Sequence, residues 1–291
     1  MPSSPAPNPA SPPLDLTVIA PAHNEEGNVR ALVDQVGAAL SAANLPGGFE
    51  FIIVDDGSTD RTQTSTMALM HGRPWLRCIA MSKTPPGKGN GQSAAFYAGI
   101  RASRGRLIAT LDADLQNDPA DLPAMIARMR EHDADLVQGD RSHARRDNFV
   151  RRVTSRIGRF FRRLILADVV RDTGCSLRVM KREVAMCLPL QFKGVHRFIP
   201  ISAVIHGFKV IEMPVNHRPR TAGETKYGFG IWQRALPGLI DCFAVRWMKN
   251  RRRPTDSTEV SMLPITTIDH RPAAKDASLQ DHARLTQETH S

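Results

Sequence analysis

Between residues 16 and 138 the chain repeats one pattern: a short apolar run, then a stretch with helical periodicity. The runs are 16–20, 49–54, 76–81, 107–111 and 135–138, and the helix-like stretches are 25–40, 59–70, 91–102 and 118–130. The runs are continuously apolar instead of alternating, as in strands buried on both faces, and strands of that kind belong to parallel sheets covered by helices. The expected fold is therefore α/β, with a mostly parallel central sheet flanked by helices. Asp118 is placed to cap the last of these helices, with Pro119 at its first position. In open sheets of this class, ligands bind beyond the carboxyl ends of the strands.

Three early strand ends are polar: Pro21-Ala22-His23-Asn24-Glu25, Asp55-Asp56-Gly57-Ser58 and Asp112-Ala113-Asp114-Leu115-Gln116. Together they would line one crevice. The third carries two carboxylates one residue apart. Strand side chains alternate between faces, so Asp112 and Asp114 are expected to face one divalent cation, with Gln116 as the third alternating position. Oxygen ligands suit Mg²⁺ or Mn²⁺, which complete their shells with substrate phosphates. Neither a dinucleotide-binding glycine motif nor a P-loop is present. The segment Gly87-Lys88-Gly89-Asn90-Gly91-Gln92-Ser93 opens a helix and suits either a phosphate cradle or a close-packing flexible loop. Asp60 reads as a turn or capping residue.

The chain has 291 residues and a net charge of +10, which calls for an anionic partner. Ten arginines and two acidic residues fall between Arg141 and Arg171, interleaved with Phe149, Val150, Ile157, Phe160, Phe161, Leu164, Ile165 and Leu166. Wound as a helix, this is a basic amphipathic surface suited to anionic lipid headgroups. Sparse aromatics, and arginines mixed with aliphatics, argue against nucleic acid as the partner. The four cysteines are widely spaced and read as reduced thiols. Residues 1–13 are expected to be a disordered leader and 254–291 a disordered tail. Residues 229–253 suit either an interfacial amphipathic helix or a core-packing one. No secretory signal or membrane-crossing stretch is recognised, so a cytoplasmic protein peripheral to the membrane is expected.

These pieces resemble family 2 glycosyltransferases of the GT-A fold, nearest to the polyprenyl-phosphate sugar transferases typified by dolichol-phosphate mannosyltransferase. The resemblance rests on Pro21–Glu25, residues 54–60, residues 112–119, Gly139-Asp140-Arg141 and residues 220–227, in that order. It implies one GT-A domain over 14–228. It implies that Pro21, Ala22, His23, Asn24, Glu25, Val54, Asp56 and Ala113 hold the nucleotide sugar. Asp112, Asp114 and Gln116 would form the metal shell. Arg141, Arg151 and Ser155 would contact the acceptor phosphate, with Arg152 as the alternative to Arg151. Arg220 and Lys226 would close over the donor diphosphate. Asp112, Asp114, Arg141, Arg220 and Lys226 would thus carry catalysis.

The implied reaction is metal-dependent, inverting transfer of a hexose from a GDP-mannose or UDP-glucose type donor. The acceptor would be dolichyl or undecaprenyl phosphate at the cytosolic membrane face. The alternative is a hydroxyl acceptor in cell-envelope polysaccharide or glycolipid synthesis; Asp172 is then the candidate base. A basic nucleic-acid-binding protein is the weaker alternative. One departure from the mannosyltransferases is Asp172-Thr173-Gly174-Cys175-Ser176-Leu177-Arg178, where they usually show Ser-Gly-Phe-Arg.

Overall fold

The computed structural model describes residues 14–85, 87–142, 160–168, 170–219 and 231–253. Arg151, Arg152, Ser155, Arg220 and Lys226 lie outside these residues, as do the leader and the tail. The first half alternates β1 (Leu14–Ala22), α1 (Glu26–Ser41), β2 (Phe49–Asp55), α2 (Thr62–Met70), β3 (Leu76–Ala80), α3 (Gln92–Ala102), β4 (Gly105–Thr110), α4 (Leu122–Glu131) and β5 (Leu136–Asp140). Then follow α5, described over 160–166, β6 (Arg178–Lys181), α6 (Arg182–Cys187), α7 (Ile199–Ile205), β7 (Val210–Pro214) and α8 (Ile231–Arg251).

The strands form one sheet in the order β3-β2-β1-β4-β6-β5-β7. All neighbours are parallel except that β6 runs antiparallel between β4 and β5. Burial on both faces explains the continuous apolar runs. In β1, Leu16, Val18 and Ala20 pack with α1 and α4 on one face, while Ile19 packs with α3 on the other. Gly105 opens β4 where a Cβ would collide with the Thr17 backbone nitrogen, so only glycine allows β1 and β4 to approach so closely. Asp118 accepts a hydrogen bond from the Ala120 N–H (3.0 Å). It caps a 3-10 turn, Pro119–Asp121, which leads into α4 and begins the helical stretch expected from residue 118.

Helices α5, α7 and α8 build a separate small core from Ile165, Leu166, Phe198, Ile201, Cys242 and Val245. Arg246 and Lys249 of α8 donate to the Ile165 and Leu166 carbonyls (2.6 and 3.3 Å). They thereby satisfy the open carbonyls at the end of α5, where cations are favoured. The core-packing expectation for 229–253 holds for one face of α8. Ile240, Phe243 and Trp247 stay exposed, and Phe243 lines one groove with Phe161 and Leu164 of α5. Among the described residues, no helix is long and apolar enough to cross a membrane.

Candidate active site

The carboxyl ends of β1, β2, β4 and β5 open on the same edge of the sheet. The first two turns interlock. Asn24 adopts a left-handed conformation (φ 55°). Its side-chain oxygen accepts from the Thr59 N–H (2.8 Å), and its own N–H donates to Ser58 Oγ (2.9 Å). His23 Nδ1 lies 2.7 Å from the Asp56 carbonyl. Asp60 accepts from the N–H groups of Glu26 (3.1 Å) and Thr62 (2.9 Å), so it ties the starts of α1 and α2 together, in keeping with a capping role. Pro21 to Glu25 and Val54 to Asp60 therefore form one rigid unit. In it, Glu25 accepts from Asn28 Nδ2 at 2.7 Å.

Asp56 has a second partner set. Its carboxylate accepts from the N–H groups of Asn90 (2.9 Å) and Gly91 (2.7 Å) and from Thr84 Oγ1 (3.0 Å). Gly87, Gly89 and Gly91 wrap this carboxylate with φ of +75°, +61° and +94°. Of the two uses open to the glycine segment, its free N–H groups go to a protein carboxylate. The loop then delivers Gln92, the first residue of α3, whose Nε2 donates to Asp112 Oδ1.

The geometric expectation for Asp112, Asp114 and Gln116 is corrected by the structure. Strand β4 ends at Thr110, and Leu115 adopts φ 62°, so these three residues lie in a turn without strand alternation. The turn is held by other means. Asn117 Oδ1 accepts from the Asp112 N–H (3.0 Å) and from Ser176 Oγ (2.8 Å). Asp114 Oδ1 accepts from the Gln116 N–H (3.2 Å), and the Gln116 carbonyl accepts from the Arg218 N–H (2.9 Å). Ala113 is buried at the middle of the turn. Burial, and then the Asp114 charge, push the Asp112 carboxyl above the usual carboxylate range.

Beyond β5, Arg141 is almost wholly buried (7% exposed). Its Nε and Nη2 donate to the two Asp172 oxygens (2.8 and 3.3 Å). Burial opposes the Arg141 charge, but these bonds and the Asp172 charge hold its pKa above the ordinary arginine value. Beneath it, Gln138 Nε2 lies 3.0 Å from the carbonyls of Gly139, Asp172 and Cys175, and Gln138 Oε1 accepts from Arg178 Nε (2.7 Å). Arg178 is fully buried, and burial lowers its pKa to about 10. On the α3 side, His196 Nδ1 lies 2.8 Å from Ser93 Oγ, and burial lowers the imidazole to about 3, so it is neutral at pH 7.

Sequence reasoning nominated neither Gln92, Asn117, Gln138, Arg178 nor His196. A usable signal existed for two of them. Gln138 interrupts an apolar strand and Arg178 stands at the head of one, and a polar group buried in a sheet must find a partner. The structure brings Pro21–Glu25, Val54, Asp56, Asp112–Asp114, Gln116 and Arg141 to one sheet edge.

Residues 17–188 match the sequence profile of Glycosyl transferase family 2. The chain belongs to that family. This glycosyltransferase is 35% identical over 246 residues to a dodecaprenyl-phosphate galacturonate synthase of Rhizobium johnstonii, covering 83% of this chain and 69% of the relative. It is 30% identical to an undecaprenyl-phosphate 4-deoxy-4-formamido-L-arabinose transferase of Yersinia enterocolitica, covering 78% and 67%. Its fold matches solved structures of the GT-A type. One is the Mycobacterium tuberculosis glucosyl-3-phosphoglycerate synthase with Mn²⁺, UDP-glucose and phosphoglyceric acid, with TM-score 0.58, 19% identity, and 79% and 80% of the two chains covered. Another is a Pyrobaculum calidifontis mannosyltransferase with GDP-mannose and Mn²⁺, with TM-score 0.54, 18% identity, and 84% and 68% covered. The glycosyltransferase is thus a single α/β GT-A domain related to polyprenyl-phosphate sugar transferases.

The residues at the turn fit a divalent ion. Asp112 and Asp114 repel one another at a buried position, and a cation between them removes that repulsion. Among the described residues no third His, Cys, Asp or Glu joins them. Two carboxylates with the remaining positions left to amide, water or phosphate oxygens is a set that Mg²⁺ or Mn²⁺ accepts.

Proposed function

We propose that this glycosyltransferase moves a hexose from a nucleotide-diphosphate sugar to a polyprenyl phosphate, with inversion. The donor is of the GDP-mannose or UDP-glucose type, and the acceptor is dolichyl or undecaprenyl phosphate. The observation that carries the reading is the close pairing of opposite demands at one strand edge. A buried Asp112–Asp114 turn suits a cation-bound diphosphate, and a buried, permanently charged Arg141 suits a second phosphate. Both relatives named above act on a prenyl phosphate.

Each group then has a definite task. The interlocked turns at Pro21–Glu25 and Val54–Asp56 seat the nucleoside, with Glu25 as an acceptor for hydroxyl or base N–H groups. Asp112, Asp114 and Gln116 would hold Mg²⁺ or Mn²⁺, and the bound ion would supply Lewis-acid charge for the leaving diphosphate. Arg220 and Lys226 add positive charge where the diphosphate develops its own. Arg141, with Arg151 or Arg152 and Ser155, orients the acceptor phosphate by charge-assisted hydrogen bonds. That phosphate, with a second pKa of about 6, arrives ionised at neutral pH and attacks the anomeric carbon without a protein base. The exposed apolar residues Phe160, Phe161, Leu164, Ile240, Phe243 and Trp247, with Lys249 and Arg251 in the last turn of α8, suit an anionic membrane surface. The protein then works peripherally at the cytosolic face, where its lipid acceptor resides.

The test is transfer from radiolabelled nucleotide sugars to a short polyprenyl phosphate with Mn²⁺. Label is expected in the lipid phase, and label that goes only to free glycans or water would overturn the acceptor assignment.

A further inference from the structure

We infer that Asp172 is a positioning residue that locks Arg141 in one orientation, and is not the base of the reaction. The inference rests on the acceptor-phosphate reading of Arg141 above. Asp172 accepts from Arg141 at three points: the backbone N–H (3.2 Å), Nε (2.8 Å) and Nη2 (3.3 Å). The Gly174 N–H adds a fourth donor to Oδ1 (3.1 Å). Side-on pairing of this kind fixes the plane of a guanidinium as well as its place. It engages Nε and Nη2 and leaves the Nη1 edge of Arg141 for a second anion.

The lock is itself anchored from three strands. Glu212 of β7 accepts from the N–H groups of Arg171 (2.8 Å) and Asp172 (3.3 Å). Gln138 of β5 donates to the Asp172 carbonyl (3.0 Å), and Arg178 of β6 donates to the Thr173 carbonyl (3.0 Å). A turn held by β5, β6 and β7 together cannot shift without disturbing all three. This is the support that a functional arginine needs to hold one geometry. The same bonds argue against base chemistry. Both Asp172 oxygens already face donors, and accepting a proton would end the pairing that keeps Arg141 in place. An ionised phosphate acceptor brings its own nucleophilic oxygen and asks for no such base.

The experiment uses the full chain with labelled nucleotide sugar and a short, water-dispersed prenyl phosphate. Asp172→Asn keeps the side-chain shape and removes the charge. The expected result is an acceptor KM raised about tenfold or more, with donor KM unchanged and the acidic limb of the kcat profile retained. Combined with Arg141→Lys, it should add little, since both changes break the same pairing. A collapse of kcat with loss of the acidic limb would show a base and overturn the inference. An unchanged acceptor KM would overturn it as well. Should Asp172→Asn fail to fold, Glu212→Gln loosens the same turn from β7 and is expected to raise acceptor KM in the same direction, and no rise there counts against the lock. If the unaltered enzyme labels no prenyl phosphate, the acceptor reading falls and takes this inference with it. Transfer by the unaltered enzyme with no KM change in the variants defeats the inference alone.

Discussion

Asp114→Asn should make the metal-free protein more stable while disabling the enzyme. The substitution is nearly isosteric and keeps the oxygen that accepts the Gln116 N–H. It removes one of two like charges at a site where the half-buried Asp112 is held above its ordinary pKa by desolvation and by Asp114. Carboxylates two residues apart lie about 6 Å from one another; with an effective dielectric of about 20–40, two unit charges at that distance repel by about 1–3 kcal/mol. In a domain of this size each kcal/mol moves the melting temperature by about 2–4 °C. Without metal, the variant is therefore expected to melt a few degrees above the unaltered protein. With Mn²⁺ the order should reverse, because the unaltered protein gains binding energy on the folded state and the variant does not. Loss of an outer partner of a metal ligand already costs 10–100-fold, so transfer should fall by at least about 100-fold. Differential scanning calorimetry with and without Mn²⁺, paired with the transfer assay, reads both effects. A variant that melts below the unaltered protein in the absence of metal would refute the repulsion. A variant that keeps the full Mn²⁺-dependent shift would refute the ligand role.

Gln138→Leu should be among the most damaging single changes away from the crevice: it strips partners from three carbonyls and from Arg178. At about 1 kcal/mol or more for each of the four groups left unpaired, urea denaturation should show a loss of at least about 4 kcal/mol. A loss below about 1 kcal/mol would contradict the network. His196 carries a pH signature: its folded pKa of about 3 lies below the unfolded value of 6.5. The unfolded chain therefore binds more protons between those values, so stability falls as pH drops below about 6.5. From pH 6.5 to 5 the His196 share should be about 2 kcal/mol, and His196→Gln should flatten that slope in denaturation curves; an unchanged slope would exclude it. Leu164→Glu with Phe243→Glu should weaken sedimentation with anionic vesicles by about tenfold or more, given about 1.5–3 kcal/mol per large apolar side chain. Equal binding by the double variant would remove these residues from the membrane contact.

The five strands of the first half were legible in the sequence because burial on both faces writes a continuous apolar run for each. Asp60 and Asp118 were legible because capping is a local matter of two or three residues. Strand β6 was not, since four residues with an arginine at their head carry no periodic signal. The crevice divides in the same way. Motif spacing found Asp112, Asp114 and Arg141, while the supports of those residues were hidden. Gln92 meets Asp112 across 20 positions, Arg141 meets Asp172 across 31, and Ser93 meets His196 across 103. Strand alternation misled at Gln116 because Leu115 turns left-handed just after the strand has ended.

The antiparallel strand between β4 and β5 also bears on how the chain reaches this state. The order β3-β2-β1-β4 is laid down by residues 14–110 alone, so it needs no strand that is synthesised later. Strand β5 cannot join that sheet directly, because β6 must first arrive to fill the gap between them. Both pairings of β6 wait until residues 178–181 have been synthesised. During synthesis the β1–β4 half can therefore be in place while the half built on β5 and β7 still waits for its central strand. Pulse-labelling hydrogen exchange should show protection of β1, β2 and β4 amides ahead of those in β5 and β7, and simultaneous protection would exclude this order of assembly.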